Sequence, residues 1–196
     1  MLGVVSGFLV SQVWAFLTVP TQRYDAEVLV LEGWAVEFEF CLTMAAEEFA
    51  SGRYQYLATS GIEDATLGPD GTRYSAANRA AVRLIELGVD PARIVPCPAP
   101  ATRKNKTSSS ARGVREQLKA RGIVCTAINV VTTEPHSRQS RLAYRRMFEP
   151  DVRVGMIPVR NPNLNHNTWW RTTHGWRVAA KTFGGWGREL LLGLRD

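Results

Sequence analysis

The sequence predicts an α/β domain with a largely parallel sheet, on three observations. Short apolar, β-branched runs recur at residues 26–31, 54–59, 94–97, 127–131 and 152–159, as expected of strands covered by helices on both faces. Helical patterns alternate with these runs, which implies crossover connections. No internal repeat, low-complexity tract or long linker divides the chain, and 196 residues at 45% apolar content suffice for one substantial core.

Leu2 to Val19 carries no charge and ends at Pro20. Its length is close to the minimum for a membrane span, so residues 1–20 are expected to form an apolar anchor helix. A cleaved signal and a buried core helix are the alternatives. No Lys or Arg precedes the stretch, so charge does not set an orientation and the side of the membrane stays open. The α/β domain is expected over residues 24–160, and a C-terminal loop and helical extension over 161–196.

Ala26–Leu31 reads as the first strand, ending at Glu32-Gly33-Trp34. A helix is expected from about Val36 to Phe49, then a second strand, Tyr54–Thr59, stopping at Ser60-Gly61. Ile62–Arg73 reads as a polar loop turning at Gly68-Pro69-Asp70-Gly71. Ser75–Leu87 is amphipathic and closed by Gly88. After a short strand at Ile94–Cys97, three prolines hold an extended connection into Thr102–Ser110, a basic, hydroxyl-rich helix start with Lys104, Lys106, Thr107 and Ser108. Such a start suits phosphate oxygens, and simple capping by one hydroxyl is the alternative.

The densest chemistry follows the strand Ala127–Val131. Thr132-Thr133-Glu134-Pro135-His136-Ser137-Arg138 opens a helix that Thr133 or Glu134 can cap, with Leu142, Ala143, Met147 and Phe148 as its apolar stripe. His136 and Arg138 fall in the first turn, where free N–H groups and the helix dipole favour an anion. Arg141 and Arg145 extend the positive row. The pattern suggests a phosphate or carboxylate site with His136 as proton donor or base. Strand ends in such folds gather at one edge, so Glu32, Gly33, Trp34, Ser60, Gly61, Lys106, Thr107, Ser108, Thr132, Thr133, His136 and Arg138 are expected to meet there, with Arg141 helping Arg138 to clamp the anion.

Charge sharpens this expectation. Residues 1–100 carry six Lys/Arg against twelve Asp/Glu, and residues 101–196 carry eighteen against six. A basic half of this kind suits an anionic ligand or membrane surface. Nucleic acid is disfavoured, because no helix-turn-helix, zinc-finger or RNA-binding aromatic motif is present. Cys41, Cys97 and Cys125 form no pair or metal motif and read as small apolar residues. His136, His166 and His174 lack metal-ligand spacing. The tail, Thr168 to Leu194, is expected to be helical with breaks at Gly184-Gly185 and Gly187. Its Trp169, Trp170, Trp176 and Trp186 either pack it onto the sheet, the preferred reading, or rest at a membrane interface.

Over Asp25–Phe148 the chain resembles the SanA/ElyC/YdcF-like family of bacterial domains. The likeness rests on Asp25-Ala26 opening a strand, Ser60-Gly61 after the second, the basic-Asn-x-Thr stretch Lys104–Thr107, and Thr132-Thr133-x-x-His136-x-x-x-x-Arg141. The resemblance implies a Rossmann-like fold, a membrane anchor in the bacterial inner membrane, and a role in cell-envelope or polysaccharide biogenesis linked to polyprenyl-phosphate carriers. One member binds S-adenosylmethionine. Two departures touch the expected pocket: Glu32-Gly33-Trp34 stands where a Gly pair is usual, and Ser110 where an Asn is expected. The leading expectation is a membrane-associated envelope protein that binds a phosphorylated ligand, lipid-linked ones included. Catalysis, where present, would be hydrolysis or transfer, with His136 moving a proton, Glu32 orienting a water or hydroxyl, and Arg138 and Arg141 clamping the anion. A non-catalytic envelope scaffold and a cytosolic nucleotide or S-adenosylmethionine binder are the alternatives. No cofactor is specified.

Overall fold

The computed structural model describes residues 12–67, 73–165 and 167–193. Five strands run parallel: β1 (Val28–Leu31), β2 (Tyr56–Leu67), β4 (Ile94–Ala99), β5 (Ala127–Thr133) and β6 (Arg153–Val159). Their order across the sheet is β4-β2-β1-β5-β6, and β3 (Arg73–Ser75) pairs antiparallel with the far end of β2. The chain winds outward from β1 through β2 to β4, then crosses back to lay β5 and β6 on the other side. The direction of winding therefore reverses between β1 and β5, where crossovers part and leave a crevice at the carboxyl ends.

Side-chain alternation builds a core on each face. Leu29, Leu31 and Leu57 turn towards α1 (Glu39–Ala50) and α2 (Ala76–Glu86). Val28, Val30, Ile128 and Val130 turn the other way, towards α3 (Lys106–Ala120) and α4 (Ser137–Phe148). Helices on both faces explain why β1 and β5 are fully buried along their length. Pro96 and Pro98 fit β4 because it is an edge strand, where a missing N–H costs no ladder bond.

Three expectations need correction. The second strand does not stop at Ser60-Gly61; it runs through to Leu67, and the expected polar loop is largely the hairpin that β2 makes with β3. The Gly68–Gly71 turn lies outside the described residues. Gly61 sits inside the strand because a Cβ there would stand 2.5 Å from Ala76 Cβ and 2.9 Å from Ala77 N. Second, the glycines at 184, 185 and 187 do not interrupt the tail, because α5 (Thr173–Gly193) passes straight through them. Third, Tyr144, not Leu142, faces the sheet from α4, in phase with the buried Ser137, Ser140 and Phe148.

The N-terminal stretch is also not separate from the domain over its described part. Residues 12–17 are helical, and Trp14, Leu17 and Val19 are buried in protein. Val19 N–H donates to Ser137 Oγ at 3.0 Å, Gln22 bridges to Met156 of β6, and Trp14 lies against Trp169. Apolar side chains that complete a core cannot face lipid, so the expected anchor over 1–20 is corrected for this half. Residues 1–11 lie outside the described residues, and among those described no helix is long and apolar enough to cross a membrane.

Gly61→Ala is expected to lower stability by about 1–3 kcal/mol, because the added methyl has no room against the start of α2. The urea midpoint measures this; an unchanged midpoint would show that the close approach is not a constraint.

Candidate functional site

The junctions after β1, β4 and β5 deliver polar groups to the crevice between β1 and β5. Glu32, the first residue after β1, is 2% exposed. Its carboxylate accepts from Trp34 N–H at 3.1 Å and Thr132 Oγ1 at 3.3 Å, both through Oε2. The other oxygen, Oε1, stands 3.7 Å from His136 Nε2. Thr107, in the first turn of α3, places its Oγ1 3.4 Å from the same nitrogen. One imidazole nitrogen thus faces a buried carboxylate from one strand end and a hydroxyl from another. The charge of Glu32 carries further, adding to the burial that already raises the Tyr144 phenol and the Cys41 thiol above their ordinary pKa values.

Of the expected residues, Glu32, Thr107 and His136 come together. Gly33 serves packing, since a Cβ there would meet Gly61 Cα at 2.8 Å, letting the turn after β1 lie on the backbone of β2. Ser60 is fully buried and its hydroxyl shares a 2.9 Å hydrogen bond with Tyr144, so it braces α4 on the sheet. Thr133 is buried and its side chain makes no cap. Ser137 Oγ instead donates to Glu134 O at 2.6 Å. Lys106 is exposed at the start of α3, and Ser108 donates from Oγ to Glu189 Oε2 at 2.5 Å.

The arginine row is turned elsewhere. Arg138 donates from Nε to the Phe16 carbonyl and lies 4.3 Å over the Phe16 ring. Arg141 sits half-buried, its pKa lowered by desolvation and then by Arg145 and Arg138, while Arg145 pairs with Glu149 at 3.2 Å. Helical spacing correctly put these cations on neighbouring turns, but the N-terminal segment and the end of α4 hold them.

Simple capping does not account for the start of α3. Its N-cap residue, Asn105, adopts a left-handed conformation (φ 56°, ψ 37°) with no side-chain cap, one that Asn tolerates better than most residues. The first backbone bond, from Ser109 N–H to Asn105 O at 2.9 Å, leaves the N–H groups ahead of it outside the helix ladder. The hydroxyls that could have capped them go to His136, Gln139 and Glu189 instead.

Trp34 lies beside the imidazole, ring centroids 5.9 Å apart and planes inclined at 35°. Lys181, Gln139 and Glu189 were not expected at the site. Lys181 of α5 sets its Nζ 3.8 Å over the Trp34 ring, and its pKa is lowered by desolvation and by the neighbouring Lys106. Gln139 donates from Nε2 to Thr107 Oγ1 at 3.1 Å. A Cβ at Gly185 would meet Gln139 Oε1 at 2.2 Å, so the glycine lets α5 lie close on this network. Glu189, 1% exposed, receives Ser108 and Arg146 Nη1 at 3.2 Å, while Arg146 Nη2 also reaches the Glu189 carbonyl. The crevice is therefore covered by α5 instead of opening as the expected hollow. Cavities of about 270 and 240 Å3 lie near the amino ends of the strands, one beside Cys125 and Asp151 and the other beside Gly88 and Arg93.

Among the described residues no cluster of His, Cys, Asp and Glu is arranged to hold a metal ion. No protein-family model and no curated protein matches the chain.

Arg146→Met strands the Glu189 carboxylate in a buried place and is expected to cost about 3–5 kcal/mol. Limited proteolysis should then release the C-terminal helix first. Wild-type resistance in the variant would mean that Ser108 alone satisfies Glu189.

Proposed function

We propose that this is a membrane-associated envelope protein of the SanA/ElyC/YdcF-like kind, binding a phosphorylated ligand, lipid-linked ones included, at the start of α3. The observation that carries this reading is the meeting of Glu32, Thr107 and His136 at the point where the winding reverses, beside an uncapped helix start. Phosphate oxygens there would take the free N–H groups of the first turn, the Thr107 hydroxyl, and the ammonium groups of Lys106 and Lys181. Arg138 is left out of the clamp because its guanidinium serves Phe16, and Arg141 because it sits half-buried among Arg138, Arg145 and Glu149.

The same geometry supports hydrolysis or transfer. His136 Nε2 is placed to give a proton to the leaving oxygen as the bond from phosphorus to that oxygen breaks and a water, or in transfer an acceptor hydroxyl, bonds to phosphorus and releases its own proton to solvent. Glu32 holds the imidazole in position, a change from the role of orienting water that the sequence suggested. At 3.4 and 3.7 Å the Thr107 hydroxyl and the Glu32 carboxylate stand far for hydrogen bonds to Nε2, so the single proton on that nitrogen is open to a ligand oxygen. One observation favours the non-catalytic scaffold instead: α5 lies across the site and places Lys181 over Trp34, which restricts entry of a second reactant.

Inorganic phosphate, adenosine diphosphate, farnesyl phosphate and S-adenosylmethionine can be compared by thermal shift. A ligand specific for the native state adds about 2.7 kcal/mol at about a hundredfold excess over Kd, which for a chain of this size raises Tm by roughly 5–10 °C. The phosphates are expected to give such a shift, and His136→Ala and Lys181→Ala each to remove most of it. A shift from S-adenosylmethionine alone, or one that survives both substitutions, would place the ligand elsewhere.

A further inference from the structure

We propose that the outer face of α5, together with Phe16, docks on the surface of an anionic bilayer. This inference rests on the membrane association proposed above and is independent of the ligand.

The helix has three faces. Gly175, Ala179, Thr182 and Glu189 are buried against the domain. Trp176, Ala180, Phe183 and Leu190, spaced by four, three and seven residues, fall on one stripe that faces outward, and Leu191 adjoins it. The large residues of this stripe and Phe16 are 38–60% exposed. Arg177 and Arg188 follow the stripe along one side, about 120° further round the helix from its centre, while Lys181 on the same row turns its ammonium inward over Trp34. A helix with aromatic and aliphatic residues on one face and cations along its border lies in the plane of a membrane interface.

Two further observations select the bilayer over another occupant. The stripe continues beyond α5: Phe16 meets Trp186 edge-on at 4.9 Å and Phe183 at 6.3 Å, and Trp186 meets Phe183 at 5.5 Å. Phe16 belongs to the segment that follows the uncharged residues 2–11 in the sequence. The exposed charged residues of α5 are all basic, and Arg138 lies over Phe16. That suits anionic headgroups, each nearby cation strengthening attachment.

The test uses the full chain and vesicles of phosphatidylcholine and phosphatidylglycerol. An environment-sensitive fluorophore is attached through Leu190→Cys in a Cys125→Ser background, the remaining cysteines being buried. A control label enters through Val124→Cys, 86% exposed beyond the C-terminal end of α3. The label at 190 is expected to shift to the blue, brighten at least threefold and be quenched by lipids brominated near the headgroup, while the control keeps its aqueous spectrum. Phe183→Asp and Leu191→Asp, both at exposed positions, are each expected to reduce vesicle partitioning at least tenfold. If the protein floats with vesicles while the label at 190 stays aqueous, membrane association stands and this surface is wrong. If the protein does not float at all, both fail. If Phe183→Asp instead converts a dimer to a monomer in sedimentation with no change in partitioning, the stripe meets a second copy and the proposal is overturned.

Discussion

A carboxylate that is 2% exposed must find its compensation inside the protein, and at Glu32 that requirement shapes the whole carboxyl edge of the sheet. Among the described residues no arginine or lysine pairs with it. One oxygen takes a backbone N–H from its own turn and a hydroxyl from β5, and the other faces His136. The turn after β1 must therefore double back tightly, which demands Gly33 against the Gly61 backbone. The end of β5 must present Thr132 and His136 on the same side, which requires the brief 3-10 turn Glu134–His136 before α4 begins. Strand spacing then fixes where Thr107 can come from.

A second buried carboxylate does for the tail what Glu32 does for the core. Glu189 is held by Arg146 of α4 and Ser108 of α3, so the end of the chain is tied to the two helices whose starts form the site. Buried ion pairs of this kind add little net stability, since desolvation offsets most of the attraction, but losing one partner is costly. Their effect is positional. With Glu189 anchored, the preceding turns bring Gly185 onto Gln139 and Lys181 onto Trp34.

How much of this was legible in the sequence depends on the range of the interaction. Continuous β-branched runs at β1 and β5 mark strands buried on both faces, and the residue types just beyond them, Glu32 and His136, mark the edge where ligands gather in such folds. Thr107 was legible for the same reason. Gly61 misled because a glycine near a strand end reads as a stop, whereas here it admits the neighbouring helix. The arginines of α4 misled because period 3.6 tells which residues share a face but not what that face meets. The apolar N-terminus was ambiguous in principle, since a run that can cross a membrane can equally fill a core, and Leu17 and Val19 do the latter. Lys181, Gln139 and Glu189 left no local trace, because their roles arise from contacts between elements distant in sequence.

The covering helix also bears on how an anion would act here. Lys181 loses solvent in this position, and Lys106 lies close enough to disfavour its charge further. Without an anion, the arrangement is held against that repulsion by the Trp34 face and by the distant Glu189 latch. An anion bound between the two ammonium groups would reverse the sign of the local interaction, turning a repulsive pair into two attractive contacts. Ligand and helix docking would then favour one another, by the reciprocity that binds any two coupled equilibria. Binding at this edge should thus tighten α5 on the domain, and a ligand too large to fit beneath it would have to overcome the Glu189 contacts before it could reach His136.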